Sequence, residues 1–581
     1  MSEKKRSASW AHIGGPWDVL IVGGGITGVG ILREATRLGL RALLVEQRDF
    51  GWGTSSRSSK MVHGGLRYLK DGHIRLTWAS VRERKRLLAE APGLIDPMGF
   101  LIVSYHGDRP GPWTYRAGLS IYDLLALQWS HRAFPPEELQ TLVPYLERDG
   151  LAAGFRYGDA QTDDARLVLR VVQEAIAAGG FALNGVRAEE LLWKDGRVCG
   201  AWLRDLENGA TARCYAAVVI NATGAWADRL REQVGAPPRM RPLRGSHLVF
   251  PQEKLPVAEA VTFLHPVDRR PVFFFPWEGV TLVGTTDLDH ERSLDEEPRI
   301  APEEVAYLMA AVESECGCLG LGLDDVLATF SGVRPVIRSH RPCEPSQESR
   351  DHVVWQERGL LTVTGGKLTT FRLIALDALR AVRHLLPQVP EPDSRSPVLQ
   401  PVSVGELGLE RLEPATQRRL AGRYGAAARE VLACAREGEL ERIPGTPYLW
   451  AELRWSARAE NVLHLDDLLL RRLRLGLLLP EGGAGLLPEI RSLCQKELGW
   501  DDERWEREEE AYRRLWRACY SLPSADLVPD WRGMAPTAVQ AGRRAGRLRR
   551  LRSALARLGL APANLLRRSR RSSPGPSKER R

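Results

Sequence analysis

The sequence predicts an α/β fold: a discontinuous Rossmann-like domain carrying an inserted α+β domain, followed by a helical C-terminal cap. Three stretches predict it. In "WDVLIVGGGITG", "AAVVINATGAWAD" and "LLTVTGGKLTTF" a short apolar strand runs into a small-residue turn and a helix start. They begin at residues 17, 216 and 360, so the domain they share must be interrupted by segments that build something else.

Residues 1–15 are polar and are expected to be disordered. The next segment reads as strand, glycine turn, helix and the second strand "RALLVE", a βαβ unit. Its turn contains Gly23, Gly25 and Gly28 in GxGxxG spacing, and its second strand ends in Glu46. Glycines at that spacing let backbone approach a pyrophosphate, a helix N-terminus stabilises the anion, and the carboxylate accepts ribose hydroxyls. GxGxxG alone is weak evidence, whereas strand, helix, second strand and acid in order point to a dinucleotide.

The polar run "DFGWGTSSRSSKMVHGGLRYL" follows, neither helix nor strand. Gly224 and Gly366 occupy the two later turns, where backbone can pass close to a ligand. On this reading residues 16–85, 155–240 and 330–387 form the nucleotide-binding domain and 86–154 with 241–329 the inserted one. The latter includes the strand-like "SHLVF", "PVFFFPW" and "VTLVGTTD". Residues 388–525 are a helical cap and 526–581 a basic tail.

The chain has 581 residues and a net charge of +9. Residues 541–581 hold thirteen Arg and one Lys against one Glu, so the tail outweighs the total and the body is net acidic. Eight cysteines without CxxC pairs, and no secretory signal, fit a reducing cytosolic setting and argue against a metal or iron-sulfur site. Apolar runs such as "LLLRRLRLGLLL" are broken by arginine short of the roughly 20 residues that span a bilayer. Membrane contact would be peripheral.

Taken in order, "GGGITGVGILREATRLGLRALLVEQRDFGWGTSSRSSKMVHGGLRYL", "DDARLVL", "NATGAWAD", "GSHLVF", "GTTD", "SGVRP" and "GGKLTTFR" resemble the FAD-dependent, quinone-linked sn-glycerol-3-phosphate dehydrogenases. The resemblance covers about residues 17–385 and extends more weakly through "AELRWSARAENVLHLDDLLLRRLRLGLLL". It implies FAD as cofactor, sn-glycerol 3-phosphate as substrate and a membrane quinone as acceptor. It assigns Thr54, Ser55, Ser56, Ser59, Lys60 and Thr369 to the cofactor, and Arg67, Tyr68 and Arg350 to the substrate phosphate, which guanidinium pairs bidentately. His247, Arg334 and Lys367 also match the substrate site. A histidine suits proton acceptance near neutrality, whereas guanidinium stays protonated. His247 is therefore expected to be the base, and Arg334 with Lys367 to stabilise the developing alkoxide.

The nearest alternative is the glycerol-3-phosphate oxidase, which passes electrons to oxygen and forms peroxide. It commonly carries an insertion after the "GGKLTT" helix, and the short linker here favours the dehydrogenase. An amine or amino-acid oxidase of the same flavin fold would not need the clustered arginines. A non-catalytic flavin-binding protein with a polyanion-binding tail is the most distant alternative. In the tail Leu548, Leu551, Leu555 and Leu558 recur at helical spacing among arginines, which suits a frayed tail, anionic lipid or phosphate backbones alike. No nucleic acid partner is expected, an oligomer is left open, and the expected location is the cytoplasmic face of the cell membrane.

Overall fold

A computed structural model describes residues 3–66, 74–126, 131–339, 348, 351–391, 393 and 395–534. The first sheet is parallel at its centre. Strand Trp17–Val22 lies between Thr211–Asn221 and Ala42–Glu46, with Leu360–Thr364 and Phe181–Asn184 outside them. Such strands are covered on both faces, which is why "VLIV" and "ALLV" are continuous apolar runs. Alternate residues serve opposite faces. Val19 and Ile21 pack with the helices Ile26–Arg37, Asp164–Ala177 and Phe371–Val382, while Leu20 and Val22 join Leu191, Val198 and Leu203 of the antiparallel strands beyond. Gly30 allows the first helix to touch the last, since a Cβ there would lie 2.9 Å from Phe371.

The second sheet has ten strands, nearly all antiparallel, and is built around Ile95–Tyr105, Leu151–Thr162, Met240–Pro251, Pro271–Trp277 and Val280–Gly284. Helix Pro302–Cys316 covers one face. The cap covers the other. Leu468, Leu469, Leu473, Leu475 and Leu478 pack there with Phe275, Trp277, Leu282 and Phe330. The run "LLLRRLRLGLLL" is thus a core element, and among the described residues no helix is long and apolar enough to cross a membrane.

Three boundaries differ from those expected. Strands Leu151–Thr162 and Ala328–Ile337 belong to the second sheet, because they pair along almost their whole length with Ile95–Tyr105 and Met240–Pro251. The N-terminus is ordered: Glu3–Ala11 is a helix, Arg6 is buried on Asp205 and the carbonyls of Asn184 and Gly185, and Ile13 is fully buried. Residues 526–534 belong to the body, with Trp531 buried and Val528 packed beneath the second sheet. Residues 541–581 lie outside the described residues, so the expected tail helix does too.

Candidate active site

Three glycine-bearing turns leave the carboxyl ends of neighbouring parallel strands, the edge at which open α/β sheets bind ligands. The turns are packed so tightly that most of their glycines are dictated by the protein itself. A Cβ at Gly23 would lie 2.5 Å from the Ala222 carbonyl oxygen, one at Gly28 1.8 Å from that of Gly23, and one at Gly24 2.8 Å from Glu46. Gly25 is different. Its Cβ would meet only the Ser55 hydroxyl, at 3.2 Å, so this position faces the polar loop and whatever the loop encloses. Glu46 accepts from the Gly24 and Arg48 amides, at 2.7 and 2.8 Å, holding its carboxylate at the turn. Gly224 and Gly366 both take left-handed backbone, at φ 60° and 78°.

The loop from Asp49 to Leu66 is stitched to both sheets. Ser55 Oγ accepts the Ile26 amide at 3.0 Å, capping the first helix. Thr54 donates to the Val333 carbonyl, and Ser58 donates through amide and hydroxyl to Asp164. Ser56 contributes its carbonyl, which accepts from Lys60 and Arg474. Thr369 exchanges two hydrogen bonds with the backbone of His63. The loop is therefore a fixed wall across the turn edge.

Ser59 ends this wall against the inserted sheet, its hydroxyl 2.9 Å from His247 Nε2. The imidazole is stacked on Phe330, with centroids 4.5 Å apart. Gly284, opposite it on the next strand, has to be glycine, because a Cβ would lie 2.2 Å from the ring. Burial holds the His247 pKa well below its ordinary value, and Arg334 and Lys60 push it the same way, so the ring is neutral at pH 7. Arg334 crosses Gly245 and bonds Asp287 at 2.9 Å and the Thr285 hydroxyl at 3.2 Å. Lys367 heads the short helix Leu368–Thr370, directly after the Gly365–Gly366 turn.

Lys60 is used differently from the hydroxyls around it. Its amine is fully buried, 2.8 Å from both Asp164 and the Ser56 carbonyl and 4.8 Å from the Phe330 ring centre, so it supports the loop from behind. Burial pushes its pKa down to about 8 against the pull of Asp164. Arg67, Tyr68 and Arg350 lie outside the described residues.

Sequence reasoning assigned no role to the buried acids and arginines that hold this wall. Asp163 caps helix Asp164–Ala177 and takes Arg423 and Arg474, at 2.7 and 3.0 Å. Asp164 pairs with Lys60 and Arg474. Asp49 takes Arg471 and Arg472, each at 2.5 Å. All of these side chains are within 2% of full burial. The signal available was the "DD" before a helix and three arginines inside an apolar run.

A pyrophosphate-type turn, a carboxylate at the second strand end and a hydroxyl-rich wall between two sheets are the marks of a dinucleotide-binding fold. Residues 18–372 match the family model described as FAD dependent oxidoreductase, and 382–505 match the C-terminal domain of alpha-glycerophosphate oxidase. The aerobic glycerol-3-phosphate dehydrogenase of Bacillus subtilis is 36% identical over 65% of this chain and 68% of its own. The glycerol-3-phosphate dehydrogenase of Mycobacterium leprae is 32% identical over 88% of this chain and 90% of its own. The glycerol-3-phosphate dehydrogenase of Bacillus halodurans, solved with FAD, superposes with a TM-score of 0.73 at 27% identity, covering 89% of this chain and 98% of that one. The chain belongs to the FAD-dependent oxidoreductases, in the glycerol-3-phosphate dehydrogenase and oxidase family, and its cofactor is FAD.

Proposed function

We propose that this chain oxidises C2 of sn-glycerol 3-phosphate to dihydroxyacetone phosphate and passes the electrons to a membrane quinone. The observation that carries the substrate reading is the match to the Mycobacterium leprae dehydrogenase across nearly the whole of both chains. Bound FAD supplies the hydride-accepting ring. The three strand-end turns and the Ser55 wall hold its phosphates, and Glu46 takes the ribose hydroxyls.

His247 is the proton acceptor. In the tautomer with hydrogen on Nδ1, Nε2 accepts from Ser59 Oγ, and that bond is the route by which a hydroxyl proton reaches the ring. Its depressed pKa keeps Nε2 unprotonated and ready. Arg334, oriented by Asp287, stays charged and with Lys367 stabilises the oxygen as it loses its proton. Arg67, Tyr68 and Arg350 hold the phosphate, an assignment that rests on the motif resemblance.

The test is anaerobic. Glycerol 3-phosphate should bleach the yellow flavin, and a quinone analogue should restore it; absence of bleaching would remove the substrate reading.

A further inference from the structure

Between strand Leu288–Asp289 and helix Pro302–Cys316 runs a segment that is neither helix nor strand. It leaves the second sheet, reaches the nucleotide-binding domain and is fastened there by two acids. The Asp295 carboxylate takes the Arg229 guanidinium through two bonds, at 2.8 and 2.9 Å, and the Trp226 indole at 3.3 Å. The Asp295 carbonyl takes Arg48 at 2.6 Å. Two residues on, Glu297 accepts from Arg57 and from the Tyr520 hydroxyl, the latter at 2.5 Å. The Ser293 hydroxyl accepts the Asp295 amide at 3.2 Å and its carbonyl the Glu296 amide at 3.2 Å, so the segment turns back on itself at this point.

The order of strands in the first sheet gives these anchors a meaning. Arg48 follows strand Ala42–Glu46 by two residues, and Trp226 and Arg229 follow strand Thr211–Asn221 and its Gly224 turn. The strand between those two is Trp17–Val22, whose carboxyl end leads into the glycine turn at residues 23–28. A residue bonded to both neighbours stands across the end of the middle strand, in front of the turn that approaches the pyrophosphate. The anchoring side chains form one block: Trp52 lies 5.8 Å from Trp226, and Arg48 and Arg57 lie over the Trp52 ring at 4.3 and 4.8 Å. We propose that residues 293–297 form a latch over the FAD site, held fast at Glu297 and released at Asp295 to let the cofactor in and out.

Burial decides which end moves. Arg57 and Glu297 are 4% and 8% exposed, and separating them would leave two charges unpaired away from water. Arg229 and Asp295 are 50% and 46% exposed, a pair that water and salt can replace with little loss. Opening at Asp295 uncovers Arg48 and Arg229 together. Two guanidiniums at an entrance suit a pyrophosphate in transit, because each can pair with phosphate oxygens bidentately. In the closed latch a carboxylate occupies those guanidiniums instead.

The inference rests on FAD as cofactor and on neither the substrate nor the acceptor, so it and the reading above can fail separately. Holoenzyme carrying radiolabelled FAD is chased with excess unlabelled FAD, and the retained label is followed. Asp295→Ala and Arg229→Ala should each speed release about two- to fivefold, the range of an exposed ion pair. The double variant should be no faster than Asp295→Ala alone, because both changes remove the same contact. Raising the salt to about 1 M, where the Debye length is about 3 Å, should speed release from the wild type and bring it close to Asp295→Ala. Circular dichroism and the flavin spectrum should match the wild type, showing that the variants are folded. Release at the wild-type rate in either single variant, additive effects in the double variant, or a difference undiminished by salt would each overturn the latch. A raised KM for glycerol 3-phosphate in Asp295→Ala, with FAD release unchanged, would overturn it by giving the segment to the substrate.

Discussion

Gly25 is the glycine of the first turn whose added side chain would enter the site rather than the protein. Positions 23, 24 and 28 are closed off by Ala222, Glu46 and Gly23, so substitutions there confuse misfolding with loss of ligand. Gly25→Val should give a folded, colourless protein, checked by circular dichroism beside the flavin absorbance; a full complement of flavin would show that the cofactor is elsewhere. At His247 the argument is electrostatic. A His247→Asn variant should retain flavin but lose about 10²- to 10⁴-fold in kcat, the usual contribution of a general base. Because the wild-type pKa lies well below 6.5, the unprotonated form persists as pH falls from 8 to 6.5. The profile of kcat/KM should therefore show no histidine limb in that interval, and a limb centred near 6.5 would identify a different, exposed histidine. Arg67→Ala should reduce the use of glycerol 3-phosphate about 10- to 150-fold, equivalent to about 1.5 to 3 kcal/mol for a lost charge-assisted pair. Unphosphorylated glycerol should be a poor substrate for either form.

Among the elements, the segment Leu468–Leu478 does two jobs with alternating residues. Its leucines fill the space between cap and second sheet, and Arg471, Arg472 and Arg474 reach through to Asp49, Asp163 and Asp164. Removing one partner of a buried pair leaves an uncompensated charge. Arg474→Met should cost about 3 to 5 kcal/mol in thermal unfolding and speed the release of flavin fluorescence, since it takes support from Asp163, Asp164 and the Ser56 carbonyl together. The contrast between this segment and the βαβ unit shows what a sequence can reveal. The first turn can be read from contiguous residues with fixed spacing, whereas the roles expected for the polar wall and His247 come from the motif resemblance. The arginines' links to the wall were not legible, as Asp49 and Asp164 lie more than 300 residues away and only the local pairing of Arg471 with Asp466 and Asp467 is within reach of sequence spacing. The strands Leu151–Thr162 and Ala328–Ile337 were misplaced for the same reason: sheet membership is set by non-local pairing.

For the whole molecule the open choice is the electron acceptor, quinone or oxygen. Comparing peroxide formation with reduction of a soluble quinone analogue decides it, and peroxide close to quinone turnover would favour the oxidase. The cationic tail is expected to be drawn to anionic surfaces by a salt-screened attraction. Deleting 541–581 should lower vesicle binding at low salt while leaving turnover with a water-soluble acceptor intact. The same binding with and without the tail would give the whole contact to the body.

The polar wall has a consequence for how the protein is made. Ser56 and Arg474 are 418 residues apart, and Asp49 and Arg472 are 423 apart. While the chain is still on the ribosome, the first strand and its glycine turn can fold long before the arginines that brace the wall have been synthesised. Nascent chains halted before residue 465 should therefore capture FAD only loosely, and tight retention should begin once the segment through Arg474 has emerged. On that outcome, cofactor loading would be a late checkpoint of biogenesis.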